Sequence, residues 1–303
     1  MRITICILLV LLQLSCFQNS REKAVPPPYF SQDRLQEPVI FGEGEITTSN
    51  GISFSKEGDV LYTSQQVEKQ FDNGRFYTGI FESRYANGKW SKPKQVQLGL
   101  DIDAYHPVLS IDNERLYFNS RSHPDSANKL IPHNIWFTRS TQAGWGVPEM
   151  VEGVNSASYD SYPSVAKNNN LYFNSDRQGG KGGMDFYVSY YRDGNYQPPI
   201  PLEVLNSSDV ENDLVVDPLE RFIIFNRYID ATKEIDLYIS LRKEGNWTLP
   251  RKLDNINSAD AWELTPSLSP DGKYLFYELD QSIMQIELAS IIYAEELEGV
   301  GER

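Results

Sequence analysis

A short motif, an aromatic or apolar residue followed three positions later by proline, returns five times along the chain. It stands at Leu35–Pro38, Trp90–Pro93, Trp145–Pro148, Tyr196–Pro199 and Trp247–Pro250. Between the copies a second block also recurs: an apolar strand, often led by proline, a tight turn, then an aromatic strand. Its copies are Ile52–Ser64, Pro107–Ser120, Pro163–Ser175, Leu214–Arg227 and Pro266–Glu278. Short β segments repeating with a period just above fifty residues predict a propeller or a related repeat array. One unit reads as Pro163–Lys167, Leu171–Ser175, Asp185–Ser189 and Tyr196–Leu202, four antiparallel strands joined by Gly- and Asn-rich turns. The last unit lacks its fourth strand, and an unpartnered fourth strand precedes the first unit at Leu35–Thr47. The expected fold is therefore all-β: a five-bladed β-propeller of four-stranded antiparallel blades, closed by an N-terminal strand that completes the last blade.

The flanks divide the rest. Residues 1–16 combine Arg2, an apolar run from Ile3 to Leu12, and Leu14-Ser15-Cys16. The run is short for a membrane span and suits a signal-peptide core. Cys16 directly after it resembles a bacterial lipobox, in which that cysteine carries lipid, although Gln13 stands where leucine is usual. Residues 17–34 read as a tether, 35–290 as the propeller and 291–303 as an acidic tail. The only other cysteine, Cys6, lies within the signal segment, so the expected domain has no thiol chemistry. The net charge of −14 and the lack of a basic stripe exclude nucleic acid as an expected partner. Membrane contact is expected through the lipid anchor alone, with the chain a monomer.

The segments Pro266–Tyr277 (PSLSPDGKYLFY) and Asn174–Tyr187 (NSDRQGGKGGMDFY) resemble the TolB-like, WD-like "PD" β-propeller repeat. The resemblance spans nearly the whole region after the leader. It implies a bacterial envelope protein, and lone propeller lipoproteins of this sort resemble those of Bacteroidetes. It specifies a fold far better than an activity, because propellers host many functions.

Turns at one end of the blades are tight, as at Lys56–Asp59 and Pro270–Lys273. The other end carries longer segments, Gln65–Tyr77, Arg121–His133, Asp176–Met184 and Tyr228–Ile235. Function is expected at this second end. The lead-ins to the innermost strands add carboxylates there: Asp101 and Asp103, Asp160, Glu211 and Asp213, Asp260 and Glu263. Aromatic residues accompany them: Tyr105, Tyr159, Tyr162 and Trp262. A carboxylate ring at the channel mouth would suit a cation, a basic segment or sugar hydroxyls; the same acids would equally cap backbone N–H groups. The aromatic rings would suit a sugar face or an apolar anchor, or else packing between blades. Trp90, Trp145 and Trp247 occupy one repeat position and read as structural.

All three histidines, His106, His123 and His133, map to one blade, but their spacing matches no metal motif, so no metal site and no cofactor are expected. Gly179–Gly183 is no phosphate loop, since it joins two strands and lacks the Lys-Ser/Thr ending. No nucleophile motif appears. The expected function is a non-enzymatic exported lipoprotein, periplasmic or at the outer membrane, whose propeller docks an envelope protein. The alternatives are glycan binding, or hydrolysis or elimination of a glycan by paired carboxylates at the channel mouth.

Overall fold

The computed structural model describes residues 27–42, 46, 48, 50–123, 126–258, 260–293 and 296, without the side chains of 123 and 126–130. Five antiparallel sheets are arranged as the blades of a propeller. Blade 3 shows the plan, with strands Asp160–Val165, Leu171–Ser175, Asp185–Ser189 and Ile200–Pro201 in spatial order. Leu171–Ser175 is buried throughout, since neighbouring blades cover both of its faces. That explains why the second strands read as continuous apolar and aromatic runs rather than alternating ones.

The recurring proline marks a broken outer strand. In blade 1, Lys89–Trp90 and Lys94–Gln95 both pair with Phe76–Ala86, and Ser91-Lys92-Pro93 interrupts them. Proline has no N–H to give the ladder, so it belongs on an edge strand. The aromatic residue of the motif faces the preceding blade. Trp145 meets Tyr62 at 6.1 Å between ring centroids, Trp247 meets Tyr172 at 6.3 Å, and the hydroxyls of Tyr196 and Tyr117 lie 2.9 Å apart.

Blade 5 is completed from the N-terminal side. Val39 pairs with Gln285 and Ile40 with Met284, and the Phe41 N–H donates to the Ile283 carbonyl at 2.7 Å. Phe41 is buried against Phe54 of blade 1 and Phe276 of blade 5, so one ring ties together the two blades where the circle closes.

The flanking segments are described in part. Residues 1–26, which include the leader and Cys16, lie outside the described residues, as does most of the 291–303 tail. The described part of the expected 17–34 tether is docked: Tyr29 is buried against Phe54 and Tyr274, and Gln285 Nε2 donates to its carbonyl at 2.7 Å. The start of the tail is docked too. Ile291 and Ile292 are buried, and Arg251 grips Glu296 and the Ile291 carbonyl. Both segments hold because an aromatic or isoleucine side chain buries apolar area on the blade 4, 5 and 1 surface.

Three of the four expected irregular connections are β-structure instead. The second and third strands run long in blade 1 (Val60–Gln70, Phe76–Ala86), blade 2 (Arg115–His123, Ser126–Thr141) and blade 4 (Phe222–Ile229, Glu234–Lys243). Their ends project as hairpins from the face where function is expected. Among the described residues, no helix is long and apolar enough to cross a membrane.

Candidate functional site

The hairpin face is built around a bulge repeated at the start of the innermost strands. Pairing shifts register between Tyr105 and Val108, Ser161 and Ser164, Glu211 and Leu214, and Leu264 and Ser267. A bulge re-aims one side chain. The residues at the bulge are His106, Tyr162, Asn212 and Thr265, and Gly51 holds the corresponding place in blade 1. His106, Tyr162 and Thr265 have φ of 54°, 50° and 47°, left-handed values that L side chains adopt at a cost.

Side chains of each blade clasp the bulge of the next. Ser64 Oγ accepts the His106 N–H at 3.0 Å, Asn119 Oδ1 the Tyr162 N–H at 3.2 Å, and Asp213 Oδ2 the Thr265 N–H at 3.0 Å. Asn174 Nδ2 donates to the Asn212 carbonyl at 3.1 Å, and the Glu278 carboxylate accepts the Gly51 N–H, which closes the circle. The strained bulge is thus held by a side-chain bond from the preceding blade.

The expected carboxylate ring is turned into the blades. Arg121 Nε donates to Asp103 Oδ2 at 2.8 Å, and Arg227 Nε to Glu211 Oε1 at 2.7 Å; Arg177 pairs with Asp160 in the same way. All three carboxylates are fully buried. Each also accepts backbone N–H groups or serine: Thr78 for Asp103, Ser156 for Asp160 and Ser207 for Glu211. The guanidinium groups of Arg121, Arg177 and Arg227 lie over the rings of Tyr105, Phe173 and Phe225 respectively. Asp213 is buried as well, held by Asn226 Nδ2 at 2.9 Å. Among the described residues Glu263, like Asp213, has no ion pair. Its Oε1 accepts the Ser258 N–H at 2.9 Å, Oε2 has no partner, and burial pushes its carboxyl up. These acids therefore do not line an open mouth. The unrecognised signal was a partner arginine at a separation of 18, 17 and 16 residues from Asp103, Asp160 and Glu211.

The expected aromatic residues part company. Tyr105 is buried and shares a 2.7 Å hydrogen bond with His133 Nδ1. Tyr162 is half-buried, its ring 5.0 Å from that of His106 and nearly perpendicular to it. Trp262 is 55 % exposed and Tyr159 is 45 % exposed. Both stand one residue before a buried acid, so the repeat itself presents them at the rim of one face. Tyr159 rests on His133 at 4.9 Å, which continues the row from Tyr105 outward. Trp262 borders a cleft of about 310 Å³ with Asp260, Leu264, Glu278, Asp280 and Gln281.

Electrostatics mark the mouth as poor in charge compensation. Burial raises the Glu278 carboxyl to about 7, with the nearby Asp213 charge adding to it. Burial alone raises Asp213 to about 6. His106 falls to about 4 through burial, and its ring finds the Asn50 carbonyl. His133 falls to about 4 through burial and the charges of Arg121 and Arg75. Both histidines are therefore neutral at pH 7. The side chain of His123 lies outside the described residues. Among the described residues, no group of three or more His, Cys, Asp or Glu side chains is placed to hold a metal ion.

No family model matches the sequence, and no curated protein matches it. Solved structures match by shape. A TolB-type protein from Agrobacterium tumefaciens aligns with a TM-score of 0.52 at 13 % identity, over 80 % of this chain and 77 % of that one. An endo-arabinase from Bacteroides thetaiotaomicron aligns at 0.54 and 11 % identity, over 84 % and 97 %. A gluconolactonase from Xanthomonas campestris aligns at 0.50 and 10 %, over 80 % and 86 %. The fold is thus a TolB-like five-bladed propeller. Identities this low establish the fold and leave activity to the site.

Proposed function

We propose that the chain is an exported bacterial lipoprotein whose hairpin face docks a protein partner in the cell envelope without catalysing a reaction. One observation carries this reading. On that face the buried acids are held by arginines and turn N–H groups, while the aromatic residues beside them, Tyr159 and Trp262, stay exposed. Exposed aromatic side chains on a rigid frame are what anchors a protein partner. Asp103, Asp160 and Glu211 are tied up in buried ion pairs, which takes them out of the paired acid–base work that glycan hydrolysis needs. The Ile3–Leu12 run and Cys16 support export and a lipid anchor.

Glycan binding is the second reading, favoured by the Trp262 cleft. A tryptophan face beside Asp260, Asp280 and Gln281 suits stacking on a sugar ring with hydrogen bonds to its hydroxyls. The likeness to an endo-arabinase fold is compatible with it.

Crosslinking of tagged protein in its native envelope, followed by purification, separates the two. A discrete protein adduct that disappears with Trp262→Ala and Tyr159→Ala supports docking. Repeated absence of any adduct, together with a Trp262 fluorescence response to envelope oligosaccharides, contradicts it in favour of the glycan.

A further inference from the structure

The propeller axis holds a cavity of about 120 Å³ lined by the innermost strands of the blades. Its walls are apolar: Ile52, Val108, Pro163, Leu214 and Pro266 all face it. His106 and Gly51 stand at the hairpin-face end. A Cβ on Gly51 would lie 3.4 Å from His106 Nδ1 and 3.3 Å from Thr265 Cβ, so blades 1, 2 and 5 meet tightly there. Lys56, Ile111, Pro218 and Pro270, from the tight turns, line the opposite end. The cavity therefore reaches toward the face away from Trp262.

Three polar atoms of the lining have no hydrogen-bond partner, and one of them is Thr265 Oγ1 beside the hairpin-face end. A second is His106 Nδ1, on a side chain buried to 95 % or better. The third is Ser267 Oγ. Its repeat equivalents are used: Ser53 Oγ accepts the Leu109 N–H at 2.9 Å and Ser164 Oγ the Val216 N–H at 3.0 Å. Native proteins rarely leave buried polar atoms unmatched, and such atoms point to an unseen occupant. The rest of the lining limits its chemistry. It contains no carboxylate, and its only cationic side chain, Lys56, is exposed at the turn end, so a charged occupant would lose hydration without compensation. His106 stays neutral because burial disfavours its cation, and its ring already bonds the Asn50 carbonyl. Nδ1 is then a bare acceptor that asks for a donor.

We propose that the axial channel binds a small neutral alcohol or phenol, its hydroxyl donating to His106 Nδ1 and its apolar body lying along the proline wall. Ser267 Oγ offers a second polar point along that wall. At about 120 Å³ the cavity is smaller than the roughly 150 Å³ apolar cavity that holds benzene, so one small ring or a short-chain alcohol is its upper limit. The site is independent of the docking reading, because it uses none of the rim residues.

Phenol and toluene are near-isosteric probes that differ in the hydroxyl donor. With the full chain labelled on histidine nitrogens, phenol is expected to shift the His106 Nδ1 resonance to saturation. Toluene is expected to bind about tenfold more weakly, the worth of one hydrogen bond. His106→Phe, which keeps an aromatic ring at the same backbone, should bring the two ligands together, and Val108→Phe should block both. The wild-type contrast stands even where a variant fails to fold. Absence of any His106 shift up to the solubility limit of phenol overturns the proposal. Equal binding of toluene overturns it, and so does a phenol-soaked crystal showing ordered water alone in the channel.

Discussion

Arg121 Nε donates to Asp103 Oδ2 at 2.8 Å, with both side chains out of solvent and the guanidinium stacked on Tyr105. The relation recurs as Arg177–Asp160 and Arg227–Glu211. It joins the lead-in of an innermost strand to the end of the second strand of the same blade. Removing one partner strands a buried charge, which typically costs about 3–5 kcal/mol. Asp103→Asn should therefore lower the urea midpoint sharply. Lys233→Ala, which breaks an exposed pair with Asp230, should leave it unchanged. Equal midpoints for wild type and Asp103→Asn would contradict a structural role for the acids.

The mouth carries a pH signature with two opposing parts. Glu278 is raised to about 7, so the folded state holds its proton more tightly than the unfolded chain does. Its stabilisation is complete at low pH and is lost as pH rises through 7. Glu278→Gln removes the charged form. It should match wild type below pH 4.5 and exceed it above pH 8 by about 1–2 kcal/mol, a figure discounted for partial exposure. His106 works in the other direction: lowered to about 4, it contributes stability above pH 6.5 that is lost as pH falls toward 4. Denaturation midpoints for both proteins from pH 4 to 8 check the divergence. A Glu278→Gln advantage at low pH rather than high pH would invert the assignment.

Closure of the ring rests on a short contact area. Phe41 is packed by Phe54 and Phe276, and truncating such a residue costs about 3–5 kcal/mol. Gly58 tests the docked strap more gently. Its φ is 77°, and a Cβ there would fall 2.4 Å from Tyr29 Cε1. Gly58→Ala should displace Tyr29, so that limited proteolysis cuts near residue 30 while the blades stay folded. Cleavage rates equal to wild type would show that the strap does not depend on that contact.

Trp262 stands outside the core, so Trp262→Ala should leave the unfolding midpoint within about 0.5 kcal/mol of wild type, as for surface substitutions generally. Partner capture, by contrast, should fall at least about tenfold, as for a hot-spot side chain. A large stability loss would assign the residue to packing instead.

The period of the repeat made the fold legible, because the W-x-x-P copies and the aromatic second strands report one recurring environment each. Closure from the N-terminal side was legible from a missing strand. The site was less so. Asp103, Asp160 and Glu211 look alike in sequence whether they point to a channel or to an arginine, and only packing places Arg121, Arg177 and Arg227 against them. Glu278 escaped notice because Asn119, Asn174 and Asn226 hold the corresponding place as ordinary strand residues. The bulge at His106, Tyr162 and Asn212 leaves only a following proline or aspartate as its trace. Extended hairpins passed for loops because Gln65–Gln70 is polar, whereas backbone pairing does not require apolar side chains.

The central claim is that the rim bearing Tyr159 and Trp262 is where the partner sits. Its most direct test is a photo-crosslinking residue placed at 262, and separately at 147, where Val147 is 61 % exposed in the outer edge of blade 2. After irradiation in the native envelope, position 262 should give one discrete protein adduct and position 147 none. Adducts of equal yield at both positions, or an adduct at 147 alone, would contradict the account.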